Sequence, residues 1–388
     1  MRRLLVYVCV VVLVETMLGS SIAPLLPDLT DELGLAKWEA GVLVAAYALG
    51  VVVWSLPSGI LTARLGARKT LVIGLLALGA ASLAFGLLDN IWLLNLSRFI
   101  QGGGAALCWT AGLGWLVAAT PPERRGELIG FAIGIALVGA LLGPVVGGGA
   151  GVFGRAAIYG ACAALTLVLA VAALAIGTAP RFTEQPLRLL FRVARDRTVA
   201  TGLWLLALPA LLVGTILVLG PLRLEESGWG VLGVTLTFVV SAGLEAITNP
   251  LAGRLSDRIG RVPILRAGLA AAAASAIILP LVDNRWANAA MIGAAAIAYS
   301  LFWAPSLALV MDRAERLGLN HTLSLALANL AFAPGALVGS VLAGVLATTL
   351  GDLAPFLIVA VLCLATLLAL GRLRIADDAL ADYSTPSI

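Results

Sequence analysis

Apolar residues run along this chain in long blocks, broken by short polar and basic turns. Twelve such runs can be counted: 4–26, 38–62, 69–88, 91–118, 126–150, 154–178, 199–222, 229–252, 262–282, 286–311, 320–349 and 352–371. Each is close to or above the ~20 residues that carry a helix across a bilayer. The longest stretch left over is 179–198, which holds Arg181, Arg188, Arg192, Arg195 and Arg197. The pattern predicts an all-α polytopic membrane protein of twelve transmembrane helices. It divides into an N-terminal six-helix bundle (1–178), a basic linker (179–198), a C-terminal six-helix bundle (199–374) and a short acidic tail (375–388).

An internal repeat supports that division. Gly253-Arg-Leu-Ser-Asp257-Arg258-Ile-Gly260-Arg261 follows the eighth run. Gly59-Ile-Leu-Thr-Ala63-Arg64-Leu-Gly66-Ala-Arg68 closes the second. The two lie 194 residues apart, half of 388, and each sets two glycines seven residues apart around a basic turn. Such spacing marks two pseudo-symmetric bundles of duplicated topology.

Composition agrees, since 61% of residues are hydrophobic and only 12% charged, far from soluble-domain usage. Charge placement sets the orientation. With the N-terminus on one side, twenty of the 25 Lys and Arg fall there. Lys37, Arg155, Arg223 and Arg285 fall on the other side, and Arg98 lies within a span. The positive-inside rule then predicts a multi-pass protein with both termini and the linker cytoplasmic; the plasma or inner membrane is its expected location. Met1-Arg2-Arg3 before an apolar run mimics a secretory signal, but Glu15 interrupts the run, so a retained first helix is expected.

Other chemistries find little support. Cys9, Cys108, Cys162 and Cys363 sit unpaired inside apolar runs, and His321 is the sole histidine, so no metal site is expected. No nucleotide loop of the Gly-rich Lys-Ser/Thr type is present, nor a credible Ser-His-Asp set. The expectation is a non-enzyme without cofactors that does not bind nucleic acid. Its partners would be a small-molecule substrate, protons and the lipid bilayer, and it would act as a monomer.

Two halves, a basic linker and the Gly-x-Leu-x-Asp-Arg-x-Gly-Arg turn resemble the major facilitator superfamily over nearly the whole chain. The resemblance implies the major facilitator fold and alternating access. The fifth run carries Gly130, Gly139, Gly143, Pro144 and Gly147, similar to the antiporter motif of the proton-coupled drug and metabolite exporters. Gly139, Gly143 and Gly147 share one helical stripe where another helix can approach closely, and Pro144 can bend it. This stripe is expected at the interface between the halves; ordinary small-residue packing is the alternative.

Arg98 and Gln101 in the fourth run resemble the superfamily's second motif, whose arginine is linked to proton coupling. A guanidinium in the apolar core costs roughly 2.5–3.5 kcal/mol on insertion scales. Either Arg98 faces the bundle interior, oriented by Gln101 one turn on, or it snorkels outward. Glu15 falls near mid-membrane beside Thr16, Ser20 and Ser21, where a carboxyl can load and release a proton. The alternative is a structural carboxylate locked to Arg98 or a hydroxyl. Glu245, with Asn249 one turn later, is either a second proton or cation site or a residue of the inner vestibule. Trp109, Tyr299 and Trp303 lie in the fourth and tenth runs, which line the cavity in superfamily members. They would suit flat apolar or cationic substrates, with Asn329 as a hydrogen-bonding group; packing is the plain alternative.

The function expected is proton-coupled export of a small lipophilic or cationic drug or metabolite. An uptake symporter or facilitator for a small organic anion or sugar, and a transport-dead membrane sensor, are the alternatives. The resemblance also makes Asp257 a latch between the halves on the cytoplasmic side, whereas Ala63 leaves the first turn without its acid. Asp257 would face the start of the fifth run near Pro122 and Glu123, unless it merely neutralises Arg254, Arg258 or Arg261.

Overall fold

The computed structural model describes residues 2–121, 124–177, 187–319 and 321–372. The tail 375–388 and linker residues 178–186 lie outside the described residues. Among those described, twelve helical spans are long and apolar enough to cross a membrane.

The first span is α1 (Arg2–Ser20), a 3-10 turn at Ala23–Leu25 and α2 (Leu26–Leu33). Pro24 and Pro27 enter at first-turn positions, where the missing N–H costs no bond. The rest of the N-terminal bundle is α3 (Lys37–Leu65), α4 (Ala67–Leu87), α5 (Ile91–Ala119), α6 (Arg125–Phe153) and α7 (Arg155–Ala172). A short helix, α8 (Leu187–Ala194), occupies part of the linker that charge alone had marked as polar. The C-terminal bundle is α9 (Arg197–Glu226), α10 (Val231–Ile259), α11 (Arg261–Ile278), α12 (Arg285–Arg316), α13 (His321–Leu350) and α14 (Leu353–Arg372).

The repeat is visible in backbone geometry. Gly66 closes α3 at φ +85° and Gly260 closes α10 at φ +90°, each opening the next helix directly. Only glycine adopts such a φ without strain. A further echo at the same offset of 194 opens α5 and α12. In Asp89-Asn90-Ile-Trp92 and Asp283-Asn284-Arg-Trp286, each asparagine side chain accepts two first-turn N–H groups.

Within the halves, close backbone approach depends on small residues. A methyl group on Gly143 would stand 2.7 Å from the Met17 carbonyl of α1, Gly139 meets Leu13 and Thr16 of α1 as closely, and Gly147 meets Ser21 just past its end. Gly335 and Gly339 of α13 press on Ala207 and Leu211 of α9 in the corresponding way. The stripe Gly139–Gly147 therefore does not lie between the halves, as the spacing had suggested. It seats α6 on α1 of its own bundle, because a smooth stripe selects the nearest helix and α1 is nearest. The halves meet one register over, where Gly148 packs on Thr235 and Gly151 on Val231.

The arginine-rich face and the opposite face differ sharply. At the opposite face the bundles are closed. Gly41 of α3 packs on the Ser340 carbonyl and Gly344 of α13, and the Trp38 N–H donates to Thr348 Oγ1 at 3.1 Å. Lys37 Nζ lies 2.9 Å from Asp352 and 3.2 Å from Glu226, both in the other bundle. Outward-facing Val53, Leu76, Val168, Leu236 and Val361 are exposed, the apolar girdle a bilayer requires.

Candidate functional site: a cavity between the two bundles

Between the bundles lies a cavity of about 240 Å³, a little below the usual ~300–1,000 Å³ of small-molecule pockets. Glu15, Thr16, Ser55, Trp109 and Thr110 line it from the N-terminal half, and Asn329 and Phe332 from the C-terminal half. The α1 backbone puts Glu15 on the face turned toward α3 and α5. The carboxylate is 7% exposed. Its Oε1 accepts from the Tyr47 hydroxyl at 3.3 Å, and its Oε2 has no partner among the described residues. Trp109 Nε1, in the same wall, is likewise without an acceptor. A buried carboxylate oxygen and a buried indole N–H, both unsatisfied, are costly unless water or a ligand meets them.

Arg98 lies behind this wall, 1% exposed. It does not snorkel. Its guanidinium donates to Gln101 Oε1 at 2.9 Å and to the Leu18 and Gly19 carbonyls of α1 at 3.4 and 3.3 Å. Those carbonyls are free to accept because the helix ends at Ser20, ahead of Pro24. Gln101 Nε2 passes the chain on to Ser82 Oγ of α4 at 3.1 Å. Tyr47 connects the two charges, since its ring lies 4.8 Å below the Arg98 carbon while its hydroxyl reaches Glu15. Arg98 and Glu15 make no direct ion pair among the described residues.

The Major Facilitator Superfamily model matches residues 8–323 and again residues 205–386. The chain belongs to this superfamily of membrane transporters. A stretch of 105 residues is 37% identical to the MFS-type transporter ppzB of Metarhizium rileyi, covering 27% of this chain and 22% of that protein. Another of 127 residues is 32% identical to the quinolone resistance protein NorA of Staphylococcus aureus, covering 33% of each. The aligned stretch thus spans a third or less of these curated relatives. Two inward-facing structures of a bacterial homolog of the human lysosomal transporter Spinster cover 100% of this chain and 99% of theirs. The unoccupied one gives a TM-score of 0.78 and the occupied one 0.82. At 15% identity these show a shared fold.

The C-terminal wall is aromatic. Tyr299 and Trp303 of α12 stack at 5.6 Å, and Phe332 of α13 meets Trp303 edge-on at 4.9 Å. Phe332 lines the cavity, with Tyr299 and Trp303 in a layer behind it. Glu245 is not among the lining residues; its Oε1 accepts from Asn249 at 3.5 Å, and it lies within electrostatic reach of Tyr299. Arg64, Asp257 and Arg258 are exposed on the arginine-rich face, and Asp257 makes no ion pair among the described residues. Pro122 and Glu123, the partners expected for Asp257, lie outside the described residues.

Sequence reasoning missed Tyr47 and Phe332 as members of this site. Tyr47 is the one phenol in the otherwise apolar stretch Gly41–Trp54, and a buried hydroxyl demands a partner. Phe332 follows Asn329 by three residues, hence on the same face of α13.

Proposed function

We propose that this transporter is a proton-coupled exporter of small lipophilic or cationic molecules, acting by alternating access in the cell membrane with both termini cytoplasmic. The observation that carries this reading is the buried Glu15 carboxylate beside a cavity lined by both bundles, one oxygen held by Tyr47 and the other without a partner among the described residues. A proton and a cationic substrate would compete for that oxygen, and competition for one carboxylate is what exchange requires. Arg98 would sense the charge through Tyr47 and relay it to the α1 break at Ser20 and, through Gln101, to α4. Phe332, backed by Trp303 and Tyr299, would receive a flat ring. Trp109 and Asn329 would supply a donor and an amide, and Glu245 a second ionisable group near the aromatic layer.

Conformational roles follow from packing. Gly139, Gly143, Pro144 and Gly147 would make α1 and α6 move as one body, while Gly130 faces open space. The turns around Gly59, Arg64 and Gly66, and around Gly253, Asp257, Arg258 and Gly260, would work at the cytoplasmic mouth. Closure at the opposite face, with Asp257 exposed, corresponds to a cytoplasm-facing conformation. Residues 1–178 and 199–374 would rock about the cavity, joined by the linker.

An organic-anion symporter is disfavoured, because Arg98 does not line the cavity and is committed to carbonyls and Gln101. Proteoliposomes with an acidic lumen test the proposal. They should accumulate a lipophilic cation as protons leave. Accumulation only under an acidic exterior would overturn antiport, and no accumulation under either gradient would favour a sensor.

A further inference from the structure

Away from the transport cavity, a groove of about 590 Å³ opens on the outer surface at the arginine-rich end of α1. Arg2, Arg3, Val6, Tyr7, Val10 and Leu169 line it. Residues 2, 6 and 10 are four apart and so form one stripe of α1. At its head are two exposed arginines with no hydrogen bond or ion pair among the described residues. Below them Val6 and Val10 are 56% and 36% exposed. The floor is non-polar in effect, because the Tyr7 hydroxyl is consumed by the Leu169 carbonyl of α7 at 2.9 Å. Among the described residues, no carboxylate lines the groove.

From this we infer a binding site for one anionic phospholipid, its phosphate held by Arg2 and Arg3 and an acyl chain lying along Val6, Val10 and Leu169. The charges sit where a headgroup would be and the apolar stripe where a chain begins. Two unneutralised guanidiniums complement a phosphodiester with matching fork geometry. A zwitterionic lipid carries its own ammonium and would compete poorly. Free phosphate would satisfy the arginines but leave the valine stripe uncovered. The inference rests on the membrane embedding of α1 and α7, and stands whatever the cargo or coupling.

Photoreactive phosphatidylglycerol and phosphatidylcholine, presented to the full chain in mixed micelles, test it by the peptides they label. Phosphatidylglycerol should label residues 2–10 and the end of α7 well above phosphatidylcholine. The Arg2→Ala/Arg3→Ala variant should lose roughly 25-fold in apparent affinity, at about fivefold per arginine. Because removing both charges can disturb insertion, Val10→Trp provides a second arm. It keeps the charges, fills the stripe and should reduce labelling by a similar order. Equal labelling by the two lipids, or labelling unchanged in both variants, would overturn the site. So would its full displacement by inorganic phosphate alone.

Discussion

Lys37 Nζ of the N-terminal bundle lies 2.9 Å from Asp352 Oδ1 of the C-terminal bundle. Asp352 also receives Arg223 NH1 at 3.5 Å, and Lys37 also reaches Glu226. This is a network across the closed face, and Asp352 and Arg223 are largely shielded there. Lys37→Ala should leave the fold intact but loosen that face. Removing such a partly exposed pair is worth about 1 kcal/mol, or roughly fivefold in the closed-to-open ratio. Alkylation of Thr348→Cys, with and without the lysine change, measures it. An unaltered labelling rate would mean that the glycine contacts alone hold the face shut.

Tyr47 should matter to transport more than to folding. Tyr47→Phe keeps the ring beneath Arg98 and removes only the hydrogen bond to Glu15, worth about 1 kcal/mol. Gradient-driven transport is expected to fall roughly fivefold, and Glu15→Gln should abolish it with normal protein levels. Undiminished transport in Glu15→Gln would remove Glu15 from the coupling mechanism.

Two neighbouring glycines on α6 should behave differently. Gly143→Ala forces a methyl group against Ser20 and Met17 within one bundle, an overpacking cost of about 1–3 kcal/mol. It should lower the melting temperature in every conformation. Gly148→Val meets Thr235 of the other bundle. It should spare stability yet disfavour the closed opposite face, read as faster alkylation at Thr348→Cys.

Asp257 is exposed and makes no ion pair among the described residues, so Asp257→Asn should not alter the stability of this conformation. Its effect belongs to the state in which the arginine-rich mouth is closed. Cysteine accessibility at that mouth should rise in Asp257→Asn and fall in Ala63→Asp. No change in either would make the turn an anchor only.

Asp196 gives a pH prediction outside the membrane. Its carboxylate accepts from Arg313 at 3.0 and 3.2 Å and caps α9 through the Thr198 and Val199 N–H groups. The Arg313 hydrogen bonds, with help from those N–H groups, hold its carboxyl below the ordinary aspartate value of 3.8. A depressed folded value contributes stability above 3.8 that is lost as pH falls through the folded value. The α8–α9 junction should therefore loosen only below that range. Hydrogen exchange of residues 187–200 measures this. In Asp196→Asn, which retains a cap but not the ion pair, the junction should already be loosened at neutral pH.

The sequence by itself determined the membrane class, the twelve spans and the half-length repeat, because a bilayer demands long apolar runs and tight turns demand glycine. Buried charge was legible too. Glu15 and Arg98 stand out in apolar runs, since nothing but function or partnership offsets their desolvation. Neighbourhood was not legible. The stripe Gly139–Gly147 announces a close approach without naming the approaching helix, and only the packed bundle shows that it is α1. Tyr47 joins Glu15 to Arg98 across 32 and 51 residues of chain, a distance no periodicity can bridge. Phe332 and Trp109 face one cavity because two separately packed bundles set them there. Helical period tells which residues share a face; what that face meets is decided by shape and packing summed over the whole structure.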